Sequence, residues 1–342
     1  MSLLISLLPA GLFILLVFWA VRALYRYVFR NQILNRLERR AKDTDELAIA
    51  DAIRAKDYVA FEHLIKTLDV NYSHVVSWGD DVLGLLDTDV MIQRYERENP
   101  NDARAFLMSG TYLIYKAWQA RGSGYASTVS EESFRQFHQY LGEASVALDK
   151  SLALDKQVMP AYQGLLTVYK GLGHDNAAED TLQAARAIDP AHLGVHLTRL
   201  DHLNAKWGGS DDRMFGFARS MAASDETGVL GGLIAAAHHD YWFSLERDHA
   251  KKYFNRSDVR KELVQAAKPL LKFRFPPVAE TDRQRLMALN YLAFTLSLAN
   301  RNRLARKAFK RIGSGFTKAP WNSLNYEQPA KAYLKFKRWA GA

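Results

Sequence analysis

Histidine and carboxylate side chains cluster at His238-His239-Asp240, shortly before Glu246 and His249. Glu246 and His249 are three residues apart, so in a helix they share one face, as in carboxylate-bridged di-iron bundles. Those bundles need a second Glu-x-x-His pair, and this sequence has none. Adjacent His238 and His239 cannot both face one ion from a regular helix. Packed or surface histidines are therefore the favoured interpretation, and a metal site is the weaker one.

A glycine-rich segment, Arg121-Gly122-Ser123-Gly124, offers a second kind of chemistry. Its backbone N–H groups could form an anion-binding nest, with Arg121 beside it to hold phosphate or carboxylate. The chain has no Walker A pattern and no strand before this segment that would suit a dinucleotide fingerprint. We favour a turn that lets the chain leave one helix. An enzyme that depends on metal or phosphate through these two regions stays an alternative function.

Composition excludes several classes of protein. The chain has 342 residues and no cysteine, which excludes a disulfide framework, a cysteine nucleophile, and thiolate-bound zinc or iron–sulfur clusters. An apolar fraction of 48% with only 9 prolines excludes a disordered or collagen-like chain. Neither a Gly-x-Ser-x-Gly elbow nor a His-Glu-x-x-His motif occurs. We therefore expect no catalytic residue, no cofactor and no enzymatic activity.

The spacing of apolar residues predicts an all-α fold. Between Asp43 and Gly315 it is helical, with almost no alternation of period two. A 34-residue window from Met159 and a second from Leu286 place large and small apolar residues at corresponding positions. In the first window these are Tyr162, Leu165, Leu166, Tyr169, Ala178, Leu182, Ala185 and Pro190, and in the second Leu289, Leu292, Ala293, Leu296, Ala305, Phe309 and Ile312.

Both windows resemble the tetratricopeptide repeat, a pair of helices that stacks into a solenoid. We therefore expect residues 43–315 to form an α-solenoid of such hairpins, with an irregular all-α domain as the alternative. In tetratricopeptide domains the first helix of each pair lines a concave surface. The resemblance implies that six side chains face a protein partner: Gln163, Thr167, Lys170, Asn290, Phe294 and Ser297.

Two insertions interrupt this helical pattern, near residues 121–138 and 206–213. They contain the segments Ala120-Arg121-Gly122-Ser123-Gly124-Tyr125-Ala126 and Lys206-Trp207-Gly208-Gly209-Ser210. With these segments inside helical repeats, the chain resembles a bacterial family catalogued as domain of unknown function family 4034, over roughly residues 45–260. The resemblance implies a helical-repeat fold and no particular reaction.

The N-terminus predicts a membrane anchor. Leu3–Val21 is almost entirely apolar and, as a helix rising about 1.5 Å per residue, reaches roughly the 30 Å of a bilayer core. We assign residues 1–21 to a transmembrane helix. A cleaved signal peptide is the weaker alternative, because no basic residue precedes the apolar run and no small-x-small site follows it.

Residues 22–42 carry a net charge of +6 and are predicted to form a basic juxtamembrane helix or linker. Because short segments rich in Lys and Arg stay in the cytoplasm, we expect a single-pass protein of the inner membrane whose body is cytoplasmic. Side chains expected at the membrane surface are Trp19, Arg22, Arg26 and Arg30.

The rest of the charge is unevenly divided. Residues 43–300 have a net charge of −7, and residues 301–342 have +10. The C-terminal segment 316–342 mixes aromatic with basic residues, so it could contact anionic lipid or cap the repeats. Nucleic acid is the less favoured partner for it.

These observations predict a membrane-anchored helical-repeat scaffold that binds a protein partner at the cytoplasmic face of the inner membrane. An immunity-type protein that sequesters a toxin would have the same architecture. It therefore stays an alternative beside the enzyme.

Overall fold

A computed structural model describes residues 19, 22, 32–35, 37, 44–69, 78–122, 124, 128–272, 277–279, 282–324, 326 and 328–342. All regular elements in these ranges are helical, as the all-α prediction requires. Fifteen α-helices are described there: α1 (Thr44–Arg54), α2 (Tyr58–Thr67), α3 (Thr88–Glu98), α4 (Ala103–Arg121), α5 (Glu131–Leu154), α6 (Met159–Leu172), α7 (Asp175–Ile188), α8 (Leu193–His202), α9 (Asp211–Ser224), α10 (Gly231–Ser244), α11 (Arg247–Tyr253), α12 (Ser257–Leu271), α13 (Arg283–Leu298), α14 (Asn302–Ile312) and α15 (Pro329–Trp339). Two 3-10 helices, Ala205–Trp207 and Trp321–Ser323, complete the described elements.

From α4 onward the helices pack as successive pairs. The pairs are α4 with α5, α6 with α7, α8 with α9, α10 with α12, and α13 with α14. The first helices of these pairs also contact one another in series, from α4 through α6, α8 and α10 to α13. Each second helix packs against the first helix of the following pair. Contact between neighbouring two-helix units is the pattern of a helical-repeat stack.

The window from Met159 coincides with the hairpin of α6 and α7. Pro160 stands in the first turn of α6, where its missing N–H costs no helical hydrogen bond. Gly173 ends α6 with a φ of +72° and donates its N–H to the carbonyl of Tyr169. Ala178 is fully buried, so the second helix lies close to the first.

The window from Leu286 falls within α13 and α14. Helix α13 begins earlier, at Arg283, because the carboxylate of Asp282 accepts the N–H of Arg285 and caps the helix. Helix α13 also lies close to α10. A Cβ on Gly232 would be only 2.6 Å from the Cα of Ala288, so the crossing depends on glycine at that position.

Three buried clusters follow one another along the chain. The first is built mainly from α1 to α6, the second from α6, α7 and Val195, and the third from α8 to α15. Leu34 is buried in the third cluster, and Leu37 packs against it. The chain around Leu34 and Leu37 is therefore attached to the body.

The C-terminal segment folds over the last helical pair. Phe316, Trp321 and Tyr333 are at most 1% exposed, and α15 packs on α14. The indole N–H of Trp321 donates to the side-chain oxygen of Asn290 over 2.9 Å. These aromatic side chains close the end of the apolar core, which is the role of a terminal cap.

The predicted insertions are short in the structure. Helix α5 begins at Glu131, because the hydroxyl of Ser130 accepts the N–H of Ser133, so residues 131–138 are helical. In the second insertion the 3-10 helix Ala205–Trp207 precedes α9, and the hydroxyl of Ser210 caps α9 by accepting the N–H of Arg213.

Within the ranges given above, no helix combines the length and the apolar character needed to cross a bilayer. The predicted anchor Leu3–Val21 lies outside the described residues except for Trp19. The side chain of Arg22 lies 6.0 Å from the Trp19 ring, and Trp19 is 60% exposed. Arg26 and Arg30 also lie outside the described residues.

Candidate partner-binding surface

The end of α4 and the second insertion meet in space through a pair of tryptophans. Trp118 stands in the last turn of α4, and Trp207 ends the 3-10 helix after α8. Their ring centroids are 5.5 Å apart, with an interplanar angle of 75°. Trp118 also packs edge-on against Phe137 of α5, at 4.9 Å. This edge-to-face geometry is favourable because the positive edge of one ring meets the negative face of another.

Two cations each lie over both rings. The ammonium of Lys170 is 4.9 Å from the centre of the Trp207 ring and 5.4 Å from that of Trp118. The guanidinium of Arg121 is 5.7 Å from Trp118 and 5.8 Å from Trp207. Tryptophan faces attract cations at such distances, so the rings help to hold both charges in place.

One carboxylate joins two of the cations at this place. Asp201 accepts from Lys170 over 2.6 Å and from Lys206 over 2.7 Å. Burial opposes ionisation of Asp201, but the two lysines outweigh it and hold its pKa below the usual value. We call Trp118, Arg121, Lys170, Asp201, Lys206 and Trp207 the tryptophan cluster. It carries three cations and one carboxylate, so its net charge is positive.

Helical stacking brings the cluster together. Trp118, Lys170 and Asp201 stand in the last turns of α4, α6 and α8. These three helices are the first members of consecutive pairs and contact one another in series. Residues that end such helices therefore lie side by side on one surface, although they are far apart in sequence.

Glycines in the second insertion set the position of Trp207. Gly208 has a φ of +86°, which glycine adopts without strain. A Cβ on Gly209 would lie only 1.9 Å from the carbonyl oxygen of Leu203. The backbone can thus fold back closely on the end of α8. The buried indole N–H of Trp207 has no acceptor among the described residues.

Three of the six predicted partner-binding residues lie on α6 beside this cluster. Gln163, Thr167 and Lys170 are all partly exposed. The amide oxygen of Gln163 faces the start of α8, 3.0 Å from the place of a Cβ on Gly194. The hydroxyl of Thr167 donates to the carbonyl of Gln163 over 3.1 Å. These residues extend the surface of the tryptophan cluster along α6. We call the tryptophan cluster together with Gln163 and Thr167 the inner surface.

The structure corrects the prediction for the other three. Asn290 and Phe294 are fully buried, and Ser297 is 3% exposed. The side-chain amide of Asn290 donates to the carbonyls of Leu286 and Gly315 over 2.8 and 3.2 Å. The C-terminal segment covers this side of α13. The position of a residue within a repeat does not indicate whether another segment covers it. These three residues belong to the core and cannot meet a partner.

His238 is held in a buried chain of hydrogen bonds. Its Nδ1 lies 2.6 Å from the hydroxyl of Tyr253, and its Nε2 lies 3.1 Å from a carboxylate oxygen of Glu262. Arg219 also forms two hydrogen bonds, of 2.7 and 3.1 Å, with the Glu262 carboxylate. The bonds from His238 and Arg219 lower the pKa of Glu262 to about 2. Both ring nitrogens of His238 are therefore occupied.

The other metal candidates do not converge with it. The Nδ1 of His239 lies 2.8 Å from Asp240, and its Nε2 lies 2.9 Å from the hydroxyl of Ser323. Glu246 precedes α11, and His249 lies within that helix. In the part of the chain that is described, no group of three or more His, Asp and Glu side chains could hold a metal ion. His238 and His239 are thus packed and hydrogen-bonded, and His249 is an exposed side chain of α11.

In the described part of the glycine-rich loop after α4, carbonyls face the Arg121 guanidinium. The N–H of Gly122 donates to the carbonyl of Trp118 and closes the helix. Arg121 donates to the carbonyls of Gly122 and Gly124 over 3.1 and 3.3 Å. The C-terminal end of a helix also carries negative partial charge, which disfavours an anion. The described part of this loop is thus a turn, and Ser123 lies outside the described residues.

Sequence reasoning singled out Arg121 and Trp207 as parts of separate insertions, and it missed Trp118 and Asp201. Both missed residues lie within regular helical pattern, one turn before a break. The only local signal that could have indicated them is an aromatic or acidic residue just before each glycine-rich break.

No protein-family model and no curated protein matches this chain. The resemblances to tetratricopeptide repeats and to the domain of unknown function therefore rest on sequence motifs alone. Function has to be argued from the geometry of the surface.

Proposed function

We propose that this protein is a helical-repeat scaffold whose inner surface binds a protein partner. The observation that carries the proposal is the meeting of Trp118, Lys170 and Trp207 on that surface. Hot spots of protein interfaces are rich in tryptophan and arginine and lie where side chains are held in place and shielded from water. A cluster fixed by rings, ion pairs and a glycine turn is preorganised in this sense, so little side-chain freedom is lost on binding.

The charge of the cluster indicates the chemistry of the partner. The cluster holds three cations but a single carboxylate, Asp201, which pairs with Lys170 and Lys206, so the positive charge is only partly compensated. An acidic partner segment would be attracted by this excess. An apolar or aromatic side chain of that segment would pack against the indole rings. We therefore propose an acidic protein segment as the partner.

The membrane location belongs to the same proposal. Leu3–Val21 would anchor the protein in the inner membrane, and the basic residues 22–42 would keep the body on the cytoplasmic side. A body tethered to the bilayer would hold its partner at the membrane surface. The proposal assigns no reaction to the protein.

Photo-crosslinking in cells tests the proposal. A photo-reactive amino acid replaces Thr167 on the inner surface of the full-length protein. The matched control replaces Ala184, which is exposed on the second helix α7. We expect one discrete protein adduct from position 167 that is absent from position 184. No adduct at 167, or the same adducts from both positions, would contradict the proposal.

A further inference from the structure

An open groove of about 540 Å³ lies between α12 and α14, the second helices of two neighbouring pairs. Arg260, Lys261 and Lys268 line it from α12, and Arg301 lines it from the start of α14. None of the described residues that line it is a carboxylate. The groove is separate from the tryptophan cluster, whose residues lie on the first helices of other pairs and on the segments that follow them.

The two helices that line the groove supply no unpaired carboxylate to its positive charge. Helix α12 contains two carboxylates, Asp258 and Glu262, and both already have cationic partners. Asp258 pairs with Arg256 over 2.6 Å, and Glu262 pairs with Arg219 over 2.7 Å. Helix α14 has no acidic residue.

The charge of Arg260, near the start of α12, is not neutralised by its hydrogen-bond partners either. Arg260 donates to the carbonyl of Phe254 over 3.1 Å and to the side-chain oxygen of Asn255 over 2.6 Å. Both acceptors are uncharged. Lys261 and Lys268 are exposed, seven residues apart on α12, and so lie on one face about two turns apart. The groove thus presents a row of cations.

Helix α14 adds partial positive charge at one end of the row. Asn300 donates to Asn255 over 3.4 Å near the starts of α14 and α12, and Arg311 donates to the carbonyl of Leu270 near their ends. The helices are therefore parallel, and their N-termini lie at the same end of the groove. Arg301, the residue that precedes α14, makes no capping hydrogen bond with its side chain, whereas Asp258 in the first turn of α12 already accepts the N–H of Val259. Helix N-termini favour anions, so this end strengthens the field of the cations.

We infer that this groove binds a phosphate-bearing anion, either the headgroup of an acidic phospholipid or a small soluble phosphate compound. Lysine and arginine are the side chains that hold phosphate oxygens, by charge and by multiple N–H donors. The groove has room for more than a single phosphate ion, and it opens to solvent so that the remainder of a ligand can leave it. This site does not depend on the partner proposed for the inner surface.

Calorimetric titration of the full-length protein in detergent tests the inference. The probes are inorganic pyrophosphate and dihexanoyl phosphatidic acid, with dihexanoyl phosphatidylcholine as the neutral-headgroup control. The groove variant is Lys261→Gln/Lys268→Gln, and the matched control is Lys150→Gln/Lys156→Gln, two exposed lysines near the end of α5. Both variants remove two positive charges, so nonspecific attraction falls equally. Arg301→Gln is a second groove variant, and circular dichroism checks that each variant is folded.

We expect at least one phosphate probe to bind, with affinity reduced tenfold or more in both groove variants and less than twofold in the control. Binding should also weaken between 50 and 200 mM salt. Binding of phosphatidic acid alone would identify a lipid headgroup site, and binding of pyrophosphate, alone or with the lipid, would identify phosphate itself as sufficient. Binding of neither phosphate probe, equal loss in groove and control variants, or equal binding of phosphatidylcholine would overturn the inference.

Discussion

Trp118 and Trp207 pack edge to face, with ring centroids 5.5 Å apart, although one stands in the last turn of α4 and the other in the second insertion. This contact joins the end of α4 to the segment after α8. Between them lies Lys170 of α6, close to both rings. The proposed partner would be recognised at this point of the inner surface, and this proposed role is distinct from the structural roles of residues elsewhere.

Lys206 is predicted to contribute to binding and little to stability. Its ion pair with Asp201 is 2.7 Å long, and the lysine side chain is 58% exposed. Exposed ion pairs contribute about 0 to 1 kcal/mol to stability. Lys206→Gln should therefore weaken capture of an acidic partner several-fold while the melting temperature stays nearly unchanged.

Lys251→Gln is the matched control for this change. Lys251 pairs with Asp248 over 2.9 Å and is 62% exposed, but it lies on α11, away from the cluster. It should leave capture of the partner unchanged. Equal losses of binding in the two variants would show that only the overall charge matters.

Asn290 is predicted to stabilise the fold without taking part in binding. Asn290→Ala removes two donated hydrogen bonds and leaves the indole N–H of Trp321 without its acceptor. Leaving a buried donor unsatisfied costs about 1 to 3 kcal/mol. We expect a loss of about 3 kcal/mol in the free energy of unfolding by urea, with partner capture unaffected in the folded fraction.

Gln163→Ala should behave in the opposite way. Gln163 is partly exposed on α6, so its replacement should change the free energy of unfolding by less than about 1 kcal/mol. It should lower the yield of the adduct between the partner and position 167. A stable Asn290→Ala variant that loses its partner would contradict the correction made for α13.

The lowered pKa of Glu262 predicts that the folded state loses stability in acid. Hydrogen bonds from His238 and Arg219 lower its pKa from 4.5 to about 2. Because the folded pKa is the lower one, the stabilisation is fully present above pH 4.5 and is lost as the pH falls towards 2. The difference in free energy of unfolding between the wild type and Glu262→Gln should therefore shrink over this range.

Urea unfolding at several pH values measures this difference. Glu226→Gln is a control, because Glu226 is an exposed carboxylate in the turn between α9 and α10. Its difference from the wild type should show a much weaker dependence on pH. A constant difference for Glu262→Gln between pH 5 and pH 2.5 would mean that the buried chain does not stabilise the folded state.

Two glycines near the cluster should respond in opposite directions to alanine. At Gly209 a Cβ would lie 1.9 Å from a backbone oxygen, so Gly209→Ala must displace the turn that carries Trp207. At Gly216, within α9, a Cβ meets nothing within 4 Å. Gly216→Ala should raise stability by roughly 0.5 to 1 kcal/mol through helix propensity. Thermal unfolding measures the stability of both variants. An unchanged melting temperature for Gly209→Ala would contradict the close approach of Gly209 to Leu203.

The sequence predicts the local features of this fold well. The hairpin from Met159 is recognisable because Tyr162, Leu165 and Ala178 fall at helical spacing and Pro190 follows the second helix. Capping by Ser210 follows from its position before α9. These features depend on neighbours in the chain.

Features that depend on distant parts of the chain could not be predicted in the same way. Asn290 has the sequence environment of an exposed helix position, and only the folding back of Trp321 buries it. The contact of Trp118 with Trp207 likewise depends on how α4, α6 and α8 stack. Single-sequence patterns do not encode such contacts, so the candidate surface emerged only from the structure.

The central claim is that the tryptophan cluster recognises a protein partner. The most direct test is the dissociation constant of the protein that is crosslinked through position 167, measured with the wild type and with Trp207→Ala. Trp339→Ala is the control, because Trp339 is 45% exposed on α15, far along the stack from the cluster. We predict at least a tenfold increase in the dissociation constant for Trp207→Ala and none for Trp339→Ala, and an unchanged constant for Trp207→Ala would contradict the account.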